Sequence, residues 1–175
     1  MSIIRTFPDR YINKLATILL LDEEINKMLY YNEVLDKDIY SLPSVDNPIV
    51  ELKDSKLFIN RRVQDLFGKK CESEAYIFIN LYSDAPCLIP KGRSRFIDTL
   101  RLDVGVVCAD GCCNTLNGYR TSIIFDRIVD ILSNDERLMG VGKPLIYSTK
   151  QNYAIPYGYN AYIITVEIDY FGDTM

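Results

Sequence analysis

Apolar positions in the first thirty residues recur at steps of three and four: Tyr11, Leu15, Ile18, Leu21, Ile25 and Met28. That spacing puts them on one face of a helix. Pro8 and Asp9 suit its first turn, since proline presets the first helical φ and the dipole favours an acid there. Asp22-Glu23-Glu24 offers a cap for a second helix, breaking the segment near Leu21. Residues 8–31 are therefore expected to be helical, as one helix or as two.

The stretch 32–56 has no period. Leu42-Pro43, Asn47-Pro48 and acids scattered from Glu33 to Asp46 read as an irregular connection or arm. A connection of that length is either a partner-binding segment or a solvated linker. Leu57-Phe58-Ile59 reads as a short strand, and Ala75 to Tyr82 as a strand rich in aromatic and β-branched residues. From Phe96 to Val107, Leu100, Leu102, Val104 and Val106 alternate with Arg101 and Asp103, which suits an antiparallel sheet covered on one side.

Gly111 to Gly118 reads as a turn region. Tyr119 to Leu132 then forms a helix with Ile124, Ile128 and Ile131 inward, Thr121 or Ser122 in its first turn, and Ser133-Asn134 at its end. Leu138 to Tyr147 carries Gly140, Gly142 and Pro144, the mark of a bent or edge strand. The last element, Ala161 to Phe171, alternates Tyr162, Ile164, Val166, Ile168 and Tyr170 against the opposite face. Helices and strands do not alternate strictly. The expected fold is α+β: a mainly antiparallel sheet of about four to five strands, packed by the N-terminal helical segment and by one helix between the strand pairs. At 175 residues the chain suits a single domain, 1–175, with 32–56 as its irregular part.

Composition narrows the function. A net charge of -4 argues against a constitutive nucleic-acid binder with a large basic face, and no direct sequence-specific nucleic-acid contact is expected. The chain has no histidine, which excludes Ser-His-Asp and Cys-His catalysis, His-ligated zinc and histidine pH switching. The five cysteines are Cys71, Cys87, Cys108, Cys112 and Cys113, an odd set that points to a reducing compartment. Pro8-Asp9-Arg10 interrupts the N-terminus before a signal core forms, and Ile18 to Leu21 is far too short for a membrane span. We expect a soluble chain made inside the cell, with no membrane partner.

Cys108-Ala-Asp-Gly-Cys112-Cys113 crowds three thiols into one turn, yet lacks a CxxC pair and a second ligand pair for zinc. A thioredoxin-like CxxC after a strand is missing too, so free thiols are expected. Gly140-Val-Gly-Lys-Pro144 departs from a phosphate loop in spacing and in the proline after the lysine. The carboxylate pairs Asp126/Asp130 and Glu167/Asp169 fall on faces that solvation explains. No catalytic, cofactor-binding or metal-binding residue is assigned, and no enzyme activity is expected.

Tyrosine is more informative. Tyr153, Tyr157 and Tyr159 lie in a Gly/Pro loop, and tyrosine brings large contact area with a polar tip to protein interfaces. Lys91, Arg93 and Arg95 form the one basic loop, either solvated or facing acids of a neighbour such as Glu167 and Asp169. These eight residues are the candidate oligomer or partner interface.

The arrangement of segments resembles the neck proteins of tailed bacteriophages, especially tail terminators. It runs from Tyr11–Leu15 and Ile25–Leu29 through Ser55–Ile59, Tyr76–Asn80 and Asp98–Cys108, then Leu116–Arg120, Ile123–Leu132 and Ile163–Tyr170. The resemblance implies a non-enzymatic ring, a homohexamer, that caps the tail tube at its head-proximal end and joins it to the head connector. Its partners would be itself, the tail tube protein and the head–tail connector proteins. Its place would be the virion neck, after assembly in the host cytoplasm. Ring closure is heterologous, so one patch must complement a different patch on the next subunit. A connector adaptor or stopper is the alternative within that class. A small cytosolic enzyme using carboxylates or Cys108, Cys112 and Cys113 is the alternative outside it.

Overall fold

A computed structural model describes residues 7–60, 74–81, 97–138, 144–151 and 157–171. The N-terminal apolar stripe forms two helices, α1 (Phe7–Leu21) and α2 (Glu23–Tyr30). Asp22 separates them as the cap of α2, its Oδ1 accepting the Ile25 backbone N–H at 3.1 Å. This satisfies one of the amides that a helix start leaves without an internal partner. Asp22 Oδ2 also accepts from Arg127 Nε at 2.9 Å, so the same carboxylate joins α2 to a later helix.

Residues 32–56 lack a long element, but they lie against the body. A 3-10 turn (Ile39–Ser41) and a short helix, α3 (Pro48–Leu52), bury Ile39 and Leu52 in the core. Lys27 Nζ donates to the Tyr40 carbonyl at 3.2 Å, and Tyr31 Oη to the Pro43 carbonyl at 3.1 Å. The stretch is an irregular connection packed on the body at Ile39 and Leu52. Isolated apolar residues without a period still bury wherever a groove receives them.

The strands are β1 (Leu57–Ile59), β2 (Ala75–Leu81), β3 (Ile97–Ala109), β6 (Leu145–Gln151) and β7 (Tyr159–Phe171), in the sheet order β1-β2-β3-β7-β6. Between β3 and β6 come the single-turn helix α4 (Asp110–Cys113), a small hairpin of β4 (Asn114–Thr115) and β5 (Gly118–Tyr119), and α5 (Arg120–Asn134). The fold is α+β with a mainly antiparallel sheet, as the sequence predicts. Among the described strands β1 runs parallel to its neighbour β2 and the other pairs are antiparallel. The expected turn region 111–118 holds α4 and the hairpin, and no side chain caps α5, so neither Thr121 nor Ser122 plays that part. The strand expected from Leu138 starts later, at Leu145, and is an edge strand with a register shift between Ile146 and Ser148.

Strands β3 and β7 pair along their whole 13-residue lengths, from Ile97 opposite Phe171 to Ala109 opposite Tyr159. On one face Leu100, Leu102, Val104 and Val106 meet Ile164, Val166 and Ile168, and α1, α2 and α5 cover them. Each fully buried aliphatic side chain there contributes about 1.5–3 kcal/mol.

The opposite face is mixed, which the expectation of a sheet covered on one side did not anticipate. One end is a second apolar cluster of Phe58, Tyr76, Phe78, Val107 and Ala161, all buried. The other end is a ladder of cross-strand polar pairs. Thr165 Oγ1 donates to Asp103 at 2.7 Å, Thr99 Oγ1 to Asp169 at 2.9 Å, and Arg101 pairs with Glu167 between them. Gly105 marks the crossover, because the Phe78 ring lies over it. A Cβ at 105 would stand 2.6 Å from Phe78 Cε1 and 2.8 Å from the Tyr162 carbonyl oxygen. Among the described residues no helix is long and apolar enough to cross a membrane.

The Gly105 contact makes a direct prediction. Gly105→Ala forces the Phe78 ring aside and presses on a backbone oxygen that cannot yield, so it should destabilise the fold by about 1–3 kcal/mol. Urea unfolding should show a lower midpoint with an unchanged slope.

Candidate functional site

Arg120 opens α5, a position where the helix dipole disfavours a cation. Its side chain serves a different helix. Fully buried, it turns back to the C-terminus of α2, where carbonyl groups run out of internal partners. Its Nη1 donates to the Met28 carbonyl, and its Nη2 reaches those of Tyr31 and Asn32 at 3.2 and 3.3 Å. Its Nε donates to the Cys112 carbonyl in α4 at 2.9 Å. The planar fork of an arginine suits this divergent set of acceptors, and the negative end of α2 compensates its charge.

Asn32 completes the junction. Its Nδ2 donates to the Leu29 carbonyl at 2.7 Å, and its Oδ1 accepts the Ala75 N–H at 3.2 Å, tying the end of α2 to the start of β2. Four elements, α2, β2, α4 and α5, therefore meet around two buried polar side chains.

The three thiols of the predicted turn lie beside this node, all buried and free. Cys108 Sγ stands 3.3 Å from Cys112 Sγ, and Cys113 Sγ stands 3.4 Å from Thr121 Oγ1. The Cys108 hydrogen bond holds the Cys112 thiol below its ordinary pKa against the opposing effect of burial, with Arg120 adding to the fall. Cys113 is pulled down to about 6 by hydrogen bonding to Cys108 and then to Thr121, against burial and the nearby Asp110 charge. Cys108, which supplies the hydrogen, is pushed up. Among the described residues no group of three His, Cys, Asp or Glu side chains is placed to hold a metal ion.

Above the node sits the β4–β5 hairpin, and it is braced. The Leu116 N–H donates to the Leu35 carbonyl at 3.0 Å, Asn117 Oδ1 accepts from the Ile39 N–H at 3.0 Å, and Asn117 Nδ2 donates to Asp38 at 2.8 Å. Gly118, at φ 124°, lets the two-residue turn close. On the α4 side, the Asp110 N–H donates to the Gly158 carbonyl at 2.9 Å, and Asn160 Nδ2 to Asp110 at 2.6 Å. The hairpin, the start of β7 and residue 35 thus share one end of the molecule. That end exposes large apolar side chains among polar ones: Leu116 is 66%, Tyr119 63% and Tyr157 104% exposed, with Leu35 at the edge, and Asp36, Lys37, Asp38, Asp110 and Asn114 are exposed around them.

The predicted interface residues divide across the structure. Tyr157 lies at this end, and Tyr159, partly buried, packs against both clusters of the sheet. Glu167 and Asp169 sit at the far end of β7, about 26 and about 33 Å from Tyr159 along an extended strand. They do not form one patch with the tyrosines. Glu167 is engaged by Arg101 and Asp169 by Thr99 within the chain, which lessens the charge either offers to a basic loop on a neighbour. Lys91, Arg93, Arg95 and Tyr153 lie outside the described residues.

Sequence reasoning missed Leu116, Tyr119 and Arg120 as site residues. The signal for Arg120 was legible, a cation where a helix start favours an acid. That for Leu116 was a leucine in a two-residue turn.

Among the described residues, this end sets exposed apolar side chains over three buried thiols. The YomW family model matches residues 22–168, so the chain belongs to the YomW family, and that phage-derived name points to a bacteriophage origin. No curated protein matches the chain.

The node and the thiols each yield a prediction. Arg120→Met leaves several buried carbonyls without donors and should cost about 3 kcal/mol or more, read as a lower urea midpoint. Arg120→Lys should recover little, because a single ammonium cannot span acceptors on two elements.

A thiol whose pKa is depressed in the fold binds fewer protons there than in the unfolded chain. Stability contributed by Cys113 is therefore full above the unfolded thiol value of about 8.5 and is lost as pH falls through about 6. The melting temperature should rise with pH across that window, and Cys113→Ser should flatten the rise.

Proposed function

We propose that this chain is a structural virion protein of a tailed bacteriophage: a tail terminator whose subunits close into a ring, a homohexamer, that caps the tail tube and joins it to the head connector. The observation that carries the reading is the exposure of Leu116 and Tyr119 on a hairpin held by hydrogen bonds to residues 35–39, with exposed Leu35 beside it and exposed Tyr157 just before β7. Exposed tyrosine and leucine on a rigid support are what a permanent contact with another subunit requires.

The phage-derived family name supports the same reading, as does the α+β sheet with its helical layer that the resemblance implied. A sheet 13 residues long in its central strands gives a stiff wall from which such loops project. Of the groups an enzyme reading would use, carboxylates or Cys108, Cys112 and Cys113, the thiols are buried in the folded chain.

Light scattering of the purified chain, followed by negative-stain imaging, tests this. A closed ring is expected, and Leu116→Glu combined with Tyr157→Glu should dissociate it. The exposed substitutions themselves should alter stability by no more than about 0.5 kcal/mol. A ring indifferent to both substitutions would mean that another surface closes it. A monomer that binds connector and not tail tube would move the chain to the adaptor or stopper class.

A further inference from the structure

We propose that Cys108 and Cys112 form a modification site: a paired dithiol at the junction of β3 and α4 that a hydroperoxide oxidises to an intramolecular disulfide. The sulfurs stand 3.3 Å apart, inside van der Waals contact, and need to close only to the bond length of about 2.05 Å. The third thiol, Cys113, also borders Cys108 but is held by a second partner, since its Sγ contacts Thr121 Oγ1 on α5 at 3.4 Å.

Cys112 is the attacking sulfur. Its carbonyl is held by Arg120, whose guanidinium lies beside it, and the Cys108 sulfur is its hydrogen-bond neighbour. Cys112 as thiolate attacks one peroxide oxygen. An S–O bond forms, the O–O bond breaks, and the expelled alkoxide (hydroxide, from hydrogen peroxide) takes back the proton that the Cys112 thiol released and leaves as an alcohol or water. Cys108 sulfur then attacks Cys112 sulfur, the S–O bond breaks, and the departing hydroxide takes the Cys108 proton as water. Two thiols are oxidised by two electrons and one peroxide bond is reduced, so the balance closes with no further reactant.

Burial gates the reaction. Both sulfurs are closed to solvent, so the oxidant enters when α4 opens. That helix is a single turn with no side-chain cap, the kind of element that opens at low cost. Its fixed points are the Asp110 N–H bond to the Gly158 carbonyl and the Arg120 bond to the Cys112 carbonyl. A disulfide here would join β3 directly to α4, beneath the end that exposes Leu116 and Tyr119. The inference stands apart from the ring reading, since it rests on the thiols alone.

The test treats the folded, full-length chain with hydrogen peroxide, blocks the remaining thiols and maps the links by mass spectrometry. No lysine or arginine lies between Arg101 and Arg120, so trypsin keeps the three thiols on one peptide. Cleavage before Asp110 separates Cys108 from Cys112 and Cys113, and fragmentation then separates those two. The expected product is a Cys108–Cys112 link with the mass loss of two hydrogens, formed equally in Cys113→Ser. In urea the preference for Cys112 over Cys113 should disappear, because only the fold distinguishes them. A dominant link from Cys108 to Cys113, links to Cys71 or Cys87, or sulfinate at Cys112 without a link would each overturn the proposal. So would an identical preference in the unfolded chain.

Discussion

The buried guanidinium of Arg120 is the interaction on which the rest of the arrangement depends. A cation withdrawn from water needs compensation, and here it comes from the carbonyls at the C-terminus of α2 and one from α4. Because those acceptors belong to separate elements, the charge can be buried only when α2, α4 and α5 are all in place. Asn32 extends the same constraint to β2. The hairpin that carries Leu116 and Tyr119 leaves the chain between α4 and α5, so its position is set by the residues on either side of it. A surface meant to meet another subunit gains from such support, since a preorganised contact loses less entropy on binding.

The sheet divides its labour by face and by end. Its core face is mainly aliphatic and packs the helices, while its other face changes from the Phe58–Phe78 cluster to the polar ladder of Asp103, Arg101 and Thr99 with their β7 partners. Cross-strand pairs of this kind favour one register, because a slip of one residue would place charged groups in the aliphatic core. Gly105 sits at the change, where the Phe78 ring uses the space a side chain would fill.

Much of this was legible in the sequence, and for a local reason. The helical stripe of Tyr11 to Met28, the break at Asp22, and the alternation in β3 and β7 all depend on neighbours a few residues apart. The α+β class followed from their order. The packing of the irregular connection 32–56 was not legible, because Ile39 and Leu52 sit singly among polar residues and carry no periodic signal, though each is fully buried. The candidate site was read only in part. Tyr157 stands on the exposed end as a surface tyrosine in a Gly/Pro loop would, whereas Glu167 and Asp169 read as exposed acids and are taken up by Arg101 and Thr99.

By itself, then, the sequence determined the long helices and strands and which side of each faces inward, since periodicity is a property of the chain read over one or two turns. It also excluded imidazole chemistry outright. Only the tertiary structure decided where Arg120 ends, which thiol faces Cys108, and which exposed side chains share one end of the molecule. Arg120 meets Met28 across 92 positions and Asn117 meets Asp38 across 79. No local pattern specifies such partners, because they are chosen by which elements pack together, and the node exists only once they have.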